Sequence, residues 1–424
     1  MRDNKLHTPF GVRDILPDEC AIKKYVQNQI EGVFKKYGYV CVESPVFEYI
    51  EVFSDEKMGS VSQNQMYKFF DGDGSILALR SDMTPPIARI AATAYSKYDK
   101  PLRFYYMGEA YRDNEDYKGM LREFSQAGVE LMGSSSLDAD GEVLLLAVDS
   151  LLASGINDFK INIGQVKFFK AILEETGLSE ENCETLKDLI GKGNYVGVKY
   201  MAEKSNMPLP LKEFFCNLYK FVGGEEILKK AEGFTKNKKA LETLLEMRSL
   251  YETLKLYNIE KYFVFDLGMV NKLNYYTGII FRGYTYGTGN SVLDGGRYDN
   301  LVEEYGVKKA AIGFCVKING LVDVIKGQKI NVGIKSTDVL VAYDENGREK
   351  AFELIKTLRD KGIYSELSLI GTDVLDSIEY AGEKGIGKLL YVSDGHIEEY
   401  ETASDSLIKK ETFESFGSGE GLKL

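Results

Sequence analysis

Between residues 19 and 37 the apolar side chains Ile22, Tyr25, Val26, Ile30, Val33 and Phe34 recur at helical spacing, and Gly38 ends the run. The spacing predicts an amphipathic helix, then an extended segment, YVCVESPVFEY, broken at Pro45. A short strand at Ile76 to Leu79 leads into Thr84-Pro85-Pro86, where the hydroxyl reads as a cap before prolines tolerated in a first helical turn. From Leu102 to Met132 the pattern is two or three strands. In the last of them Arg122, Phe124, Gln126, Gly128 and Glu130 share one face by the period of two. Polar groups flanking a glycine on one strand face fit either a pocket floor or a solvated outer face.

A helix follows from about Asp138 to Ser154, then a strand around FKINIG, and residues 166 to 258 are almost wholly helical in pattern. Strands return at 262 to 268 and 278 to 287, GGRYDNLVEEYG reads as a glycine turn into a helix, and AAIGFCV as a buried strand. The polar, basic stretch 326 to 336 reads as a linker. Beyond it, strand VLVAY, helix 346–361, strand 364–369, helix 373–384 and strand LLYVS make a small α/β unit.

Composition narrows the function. The 424 residues carry 53 Lys+Arg against 65 Asp+Glu, a net charge of −12. Residues 331–424 alone hold 11 Lys+Arg against 19 Asp+Glu, a balance of −8. That argues against a partner gripped through its phosphates, and so against tRNA. With only His7 and His396 in the chain, a His-rich metal cage and most His-based nucleophilic machinery are excluded. The five cysteines, Cys20, Cys41, Cys183, Cys216 and Cys315, never pair as CxxC, which fits reduced thiols and a cytoplasmic protein. No apolar run is long enough to span a membrane. GxxxxGK[ST] is absent, and the glycines at 72/74 and 287/289 read as hairpin turns. What remains is a polar set scattered over apolar strands: Arg80, Asp82, Thr84, Arg112, Gln126, Glu130, Tyr275, Tyr276, Arg297 and Tyr298. It suits a small zwitterion, with Arg112 for a carboxylate, Asp82 or Glu130 for an ammonium, and Gln126 with the tyrosines for a further polar ring.

In chain order, TPFGVRDILPDE, GYVCVESPVFE, LALRSDMTPPIAR, LRFYYMGEAYRDNEDYKGMLREFSQAGVELMG, NYYTGIIFRG and DGGRYDNLVEEYG closely resemble the class II histidyl-tRNA synthetase core, over roughly residues 5 to 325. The resemblance implies an α+β fold, an antiparallel sheet flanked by helices. It places the core at 1–326 with a helical insertion at about 166–258, an anticodon-binding-like α/β domain at 331–415, and a flexible tail at 416–424. It also implies a dimer formed through the segment around Pro45.

Two branches of that superfamily fit, the working synthetases and the HisZ-type regulatory subunits of the short-form ATP phosphoribosyltransferase. The departures favour the second. Where synthetases have RGLDYY this chain has Asn271-Lys272-Leu273-Asn274-Tyr275-Tyr276, and where they have GLER it has Lys317-Ile318-Asn319-Gly320. FRxE becomes Tyr111-Arg112-Asp113-Asn114, and the next loop arginine is Met120, although Arg122 survives. Losing one preorganised donor typically costs ~10²–10³ in rate, and here several cations are gone. No catalytic residue, cofactor or metal is therefore expected. The histidine-binding positions are kept as Asp82, Thr84, Arg112, Gln126, Glu130, Tyr275 and Tyr276, with Arg297 and Tyr298 as candidate pocket wall. The resemblance implies a non-catalytic subunit that binds a short-form ATP phosphoribosyltransferase catalytic subunit, with L-histidine as effector, as a homodimer within a hetero-oligomer. The alternatives are an active synthetase, or a histidine-binding module serving another partner.

Overall fold

The computed structural model describes residues 4–54, 62–113, 121–270, 275–333 and 337–417, which fall into two units, Met1–Val332 and Gly333–Leu424. The first unit contains strands β1 (Val40–Cys41), β2 (Phe47–Tyr49), β3 (Lys68–Phe70), β4 (Ile76–Leu79), β5 (Leu102–Tyr111), β6 (Glu123–Met132), β7 (Phe159–Gln165), β8 (Val222–Gly223), β9 (Phe263–Asp266), β10 (Ile279–Thr285), β11 (Leu293–Arg297) and β12 (Ala311–Lys317). Nine of them form one sheet in the order β1-β5-β6-β12-β11-β10-β7-β9-β8, and β2-β4-β3 form a small separate sheet. The large sheet is antiparallel except that β1 runs parallel to β5 and β7 to β9.

Alternation along the strands sorts its two faces. Ala127, Val129 and Leu131 of β6 and Phe314 of β12 turn to one side, where they join the buried apolar faces of helices Pro17–Lys36, Leu137–Ala153 and Lys238–Leu256. The first helix buries Val26, Ile30, Val33 and Phe34, as its spacing predicts. Burying one such side chain contributes about 1.5–3 kcal/mol. The opposite face, carrying Gln126, Gly128 and Glu130, is covered near helix Thr84–Thr93 by a smaller core of Met83, Ile87, Tyr106, Tyr275 and Tyr298. The helical stretch 166–258 holds six α-helices, interrupted only by the short β8.

Four expectations change. GGRYD is no turn: Gly295, Gly296 and Arg297 lie inside β11, followed by a 3-10 turn at Val302–Tyr305. A Cβ on Gly295 would meet the Phe281 ring at 2.5 Å and one on Gly296 the Tyr276 ring at 2.6 Å, so these glycines serve close packing within a sheet. The polar stretch read as a linker from 326 begins inside helix Ile318–Gln328. Thr84 is not a cap. It is the first helical residue, its N–H is accepted by Asp82 Oδ1 at 3.1 Å, and its hydroxyl is directed elsewhere.

The second unit is a five-stranded sheet in the order β14-β13-β15-β16-β17, from β13 (Val339–Tyr343), β14 (Ser365–Leu367), β15 (Lys388–Ser393), β16 (His396–Glu401) and β17 (Ser406–Thr412). The last two strands are additions to the sequence reading. Val339 and Val341 pack against helix Arg348–Asp360, while Leu340 and Ala342 face helix Val374–Glu383 from the other side. The expected tail from 416 is also corrected, because Phe416 is buried in this core within a helical turn at Phe413–Gly417. Residues 418–424 lie outside the described residues.

Candidate functional site

A cavity of about 290 Å³ opens over the face of the sheet formed by β6, β12 and β11. Register builds its floor: Gln126 is paired with Lys317, Gly128 with Cys315 and Glu130 with Gly313, and Cys315 in turn with Asp294. Glycines make the room. A Cβ at Gly313 would stand 1.9 Å from Glu130 Oε2, and one at Gly128 2.3 Å from the Tyr106 hydroxyl. Only hydrogen at these positions lets the Glu130 and Tyr106 side chains lie where they do.

Glu130 is 1% exposed and has no cation beside it among the described residues. Thr84 Oγ1 donates to its Oε1 at 2.8 Å and the Tyr298 hydroxyl donates to Oε2. Burial disfavours the charged carboxylate more than these two donors favour it, and the nearby Asp82 adds to the effect, so its pKa is pushed up to about 8. At neutral pH Glu130 therefore carries a proton and can donate as well as accept. The phenols of Tyr106, Tyr275 and Tyr298 are raised well above 10 by the same burial and remain neutral donors.

Arg112 leaves the end of β5 and lies over the Phe124 ring at 5.5 Å. Its Nε donates to the Ser81 carbonyl at 2.8 Å, and Nη2 stands 3.8 Å from Asp82 Oδ2, beyond a direct hydrogen bond. Its outer N–H groups are thus oriented without being consumed by that carboxylate. Gln126 Nε2 reaches Cys315 Sγ at 3.5 Å. The Cys315 thiol is pushed up to about 12 by burial, which keeps it protonated. Tyr275 and Tyr276 pack ring to ring at 4.5 Å, and Tyr275 meets Tyr298 edge-on at 5.7 Å.

The structure therefore brings Asp82, Thr84, Arg112, Gln126, Glu130, Tyr275, Tyr276 and Tyr298 to one cavity. Arg297 does not belong with them. One residue from Tyr298, it points to the opposite face of β11, where Nε donates to Asp140 Oδ1 at 2.9 Å and Nη1 pairs with Asp299 at 3.0 Å. Arg80 is likewise spent on backbone, donating to the Ser44 and Glu109 carbonyls. Sequence reasoning missed Tyr106, Asp294, Cys315, Lys317 and Asp323, which also line the cavity. Alternation from Tyr298 back to Asp294 was the signal available for one of them. Gly320, where the synthetase motif has its arginine, lines the cavity and offers no side chain to it. Asn114, Met120 and Asn271 to Asn274 lie outside the described residues. Both histidines are exposed, and among the described residues no three His, Cys, Asp or Glu side chains could hold a metal. No described helix is long and apolar enough to cross a membrane.

The chain matches a family model described as histidyl-tRNA synthetase over residues 11–321. An ATP phosphoribosyltransferase regulatory subunit of Acetivibrio thermocellus is 43% identical to it over 394 residues, 93% of this chain and 94% of that protein. The chain belongs to the family of ATP phosphoribosyltransferase regulatory subunits. Among solved structures, one described as an ATP phosphoribosyltransferase regulatory subunit/histidyl-tRNA synthetase from Bacillus halodurans C superposes with a TM-score of 0.80 at 31% identity, over 92% of this chain and 98% of that one. A histidyl-tRNA synthetase from Nostoc sp. PCC 7120 superposes with a TM-score of 0.82 at 21% identity, over 97% and 98% of the two chains, and shows the shared fold alone. A regulatory subunit of this family has the class II synthetase architecture in a non-catalytic part, as the motif departures imply.

Proposed function

We propose that this chain binds the short-form ATP phosphoribosyltransferase catalytic subunit, is required for its transfer of a phosphoribosyl group from phosphoribosyl pyrophosphate to ATP, and makes that reaction sensitive to L-histidine. The observation that supports it is the cavity: one amino acid's worth of polar groups is present, while Lys and Arg on its described wall are limited to Arg112 and Lys317, against Asp82, Asp294 and Asp323. A triphosphate would meet repulsion there. A zwitterion would not. The ring of histidine sits against Glu130, Tyr298 and Tyr106, its ammonium by Asp82 and its carboxylate by Arg112, with Thr84 holding Glu130 in place and Gln126, Tyr275 and Tyr276 closing the site.

Feedback then requires histidine to bind the inhibited assembly more tightly than the active one. Exposed apolar side chains on β2, β3 and β4 and beside Pro45, including Val46, Phe47, Tyr49 and Phe70 (77% exposed), support homodimerisation through this segment within the larger assembly. Reconstitution tests the reading. The catalytic subunit should gain activity on adding this chain and lose it again with L-histidine. A catalytic subunit indifferent to the chain would overturn the assignment, and histidine-dependent ATP–pyrophosphate exchange would establish a synthetase instead.

A further inference from the structure

Beyond Gln126 the cavity floor carries a charged group that the histidine reading leaves without a task. Lys317 stands opposite Gln126 on the adjoining strand, and Arg112 lies over Phe124, two residues before Gln126 on its own strand. Neighbouring strands are ~4.8 Å apart and alternate residues on a strand ~6.6 Å apart, so a group resting on the Gln126 amide is within reach of both cations. Among the described residues these two are the only Lys or Arg side chains lining the cavity.

Lys317 also sits in a charged cluster. Its ammonium pairs with Asp294 Oδ2 at 2.5 Å and donates to Ser291 Oγ at 2.7 Å, while Arg282 Nε approaches the other Asp294 oxygen at 3.9 Å. An ammonium has three N–H groups, and these two contacts use two of them. The remaining N–H can be offered to an anionic oxygen of a ligand. At the far end, Glu130 lies four residues from Gln126, about 13 Å along the strand, with both side chains converging over Gly128. That span admits one amino acid and fixes its carboxylate at the Gln126 end.

We propose that Lys317 is a specificity-determining residue that holds the ligand's carboxylate from the side opposite Arg112, so that the pocket accepts the free amino acid and rejects its decarboxylated or reduced relatives. The inference rests on the histidine reading of the cavity. It assigns Asp294 a positioning role: with Ser291 it fixes the Lys317 ammonium on the β11 side of the floor, across from the β6 side where Arg112 lies over Phe124.

The test is calorimetric titration of the full chain, alone and in complex with the catalytic subunit, with L-histidine and with L-histidinol, which has a hydroxyl in place of the carboxylate. The wild-type chain should bind histidine about ten- to a hundredfold more tightly than histidinol. Lys317→Gln should weaken histidine by a similar factor and leave histidinol within about twofold, and Lys317→Arg should retain most of the preference. Circular dichroism and melting confirm that each variant is folded, and Asp294→Asn, which keeps the lysine, should shift the preference without abolishing it. If Lys317→Gln binds histidine as the wild type does, or loses both ligands equally, the inference is wrong while the pocket reading stands. If the wild type binds neither ligand, the pocket reading falls with it.

Discussion

The two ends of the cavity are built on the same strands and the same sheet face, yet they hold carboxylates in opposite surroundings. Glu130 is sealed under Thr84, Tyr298 and Tyr106 with no cation beside it among the described residues, and burial leaves it protonated. Asp294 is a third exposed and is flanked by Lys317 and Arg282. Water and paired cations determine whether a strand carboxylate acts as a charge or as a hydrogen-bond donor. A ligand with a neutral ring at one end and a carboxylate at the other matches that gradient.

Steric tolerance gives the sharpest test of the difference. At the sealed end Gly313→Ala would drive a Cβ to 1.9 Å from Glu130 Oε2 and 2.3 Å from the Val129 carbonyl, and neither can retreat cheaply. The expected loss is about 3 kcal/mol or more in denaturant titration. At the open end Gly320→Ala meets nothing closer than 3.8 Å, and in a helix it should be neutral or stabilising by up to about 1 kcal/mol. Equal effects at both positions would abolish the distinction.

Proton linkage comes next in size. The folded Glu130 titrates near 8 against an ordinary 4.5, so between those values the folded chain binds the extra proton. Its contribution to stability is complete below about pH 4.5 and is lost as pH rises through about 8, at just over ~1 kcal/mol per pH unit. Glu130→Gln, which cannot ionise, should therefore melt increasingly above the wild type as pH is raised from 6 to 8. A pH-independent gap would mean that Glu130 is charged in the folded chain.

Removing single donors should show a smaller contrast. Tyr298→Phe deprives Glu130 of one of its two donors in a dry site and should cost about 1–2 kcal/mol, whereas Ser291→Ala at the open end should cost about 0–1 kcal/mol. The least effect is chemical. With its thiol pushed up to about 12, Cys315 should resist iodoacetamide at pH 8 until denaturant is added, as read by mass spectrometry. Rapid native labelling at Cys315 would show the floor to be open.

Part of the site was legible in the residues before any fold was known. Gln126, Gly128 and Glu130 alternate along one strand, and that period placed them on one face, which the fold makes the floor. Arg297 shows the limit of the same reasoning. It was grouped with Tyr298 by adjacency, but adjacent strand residues face opposite ways, and Arg297 went to Asp140 instead. Gly295 and Gly296 looked like a turn because glycine is common in turns. Their actual role, admitting the Phe281 and Tyr276 rings, depends on strands distant in sequence. Lys317 and Asp294 were passed over for that reason too: each is an ordinary strand residue until β11 and β12 are laid side by side.

The sequence by itself determined the helical stripe of the first helix, the acidic balance of the last domain, the loss of the synthetase arginines and the ordered motifs that mark the family. These are properties of residue type and spacing, so they survive without coordinates. Only the tertiary structure decided that burial raises the Glu130 pKa, that Arg297 is turned away and that Lys317 lies opposite Gln126. Each of those depends on register between strands or on exclusion of water, which are set by contacts between residues as far as 191 positions apart.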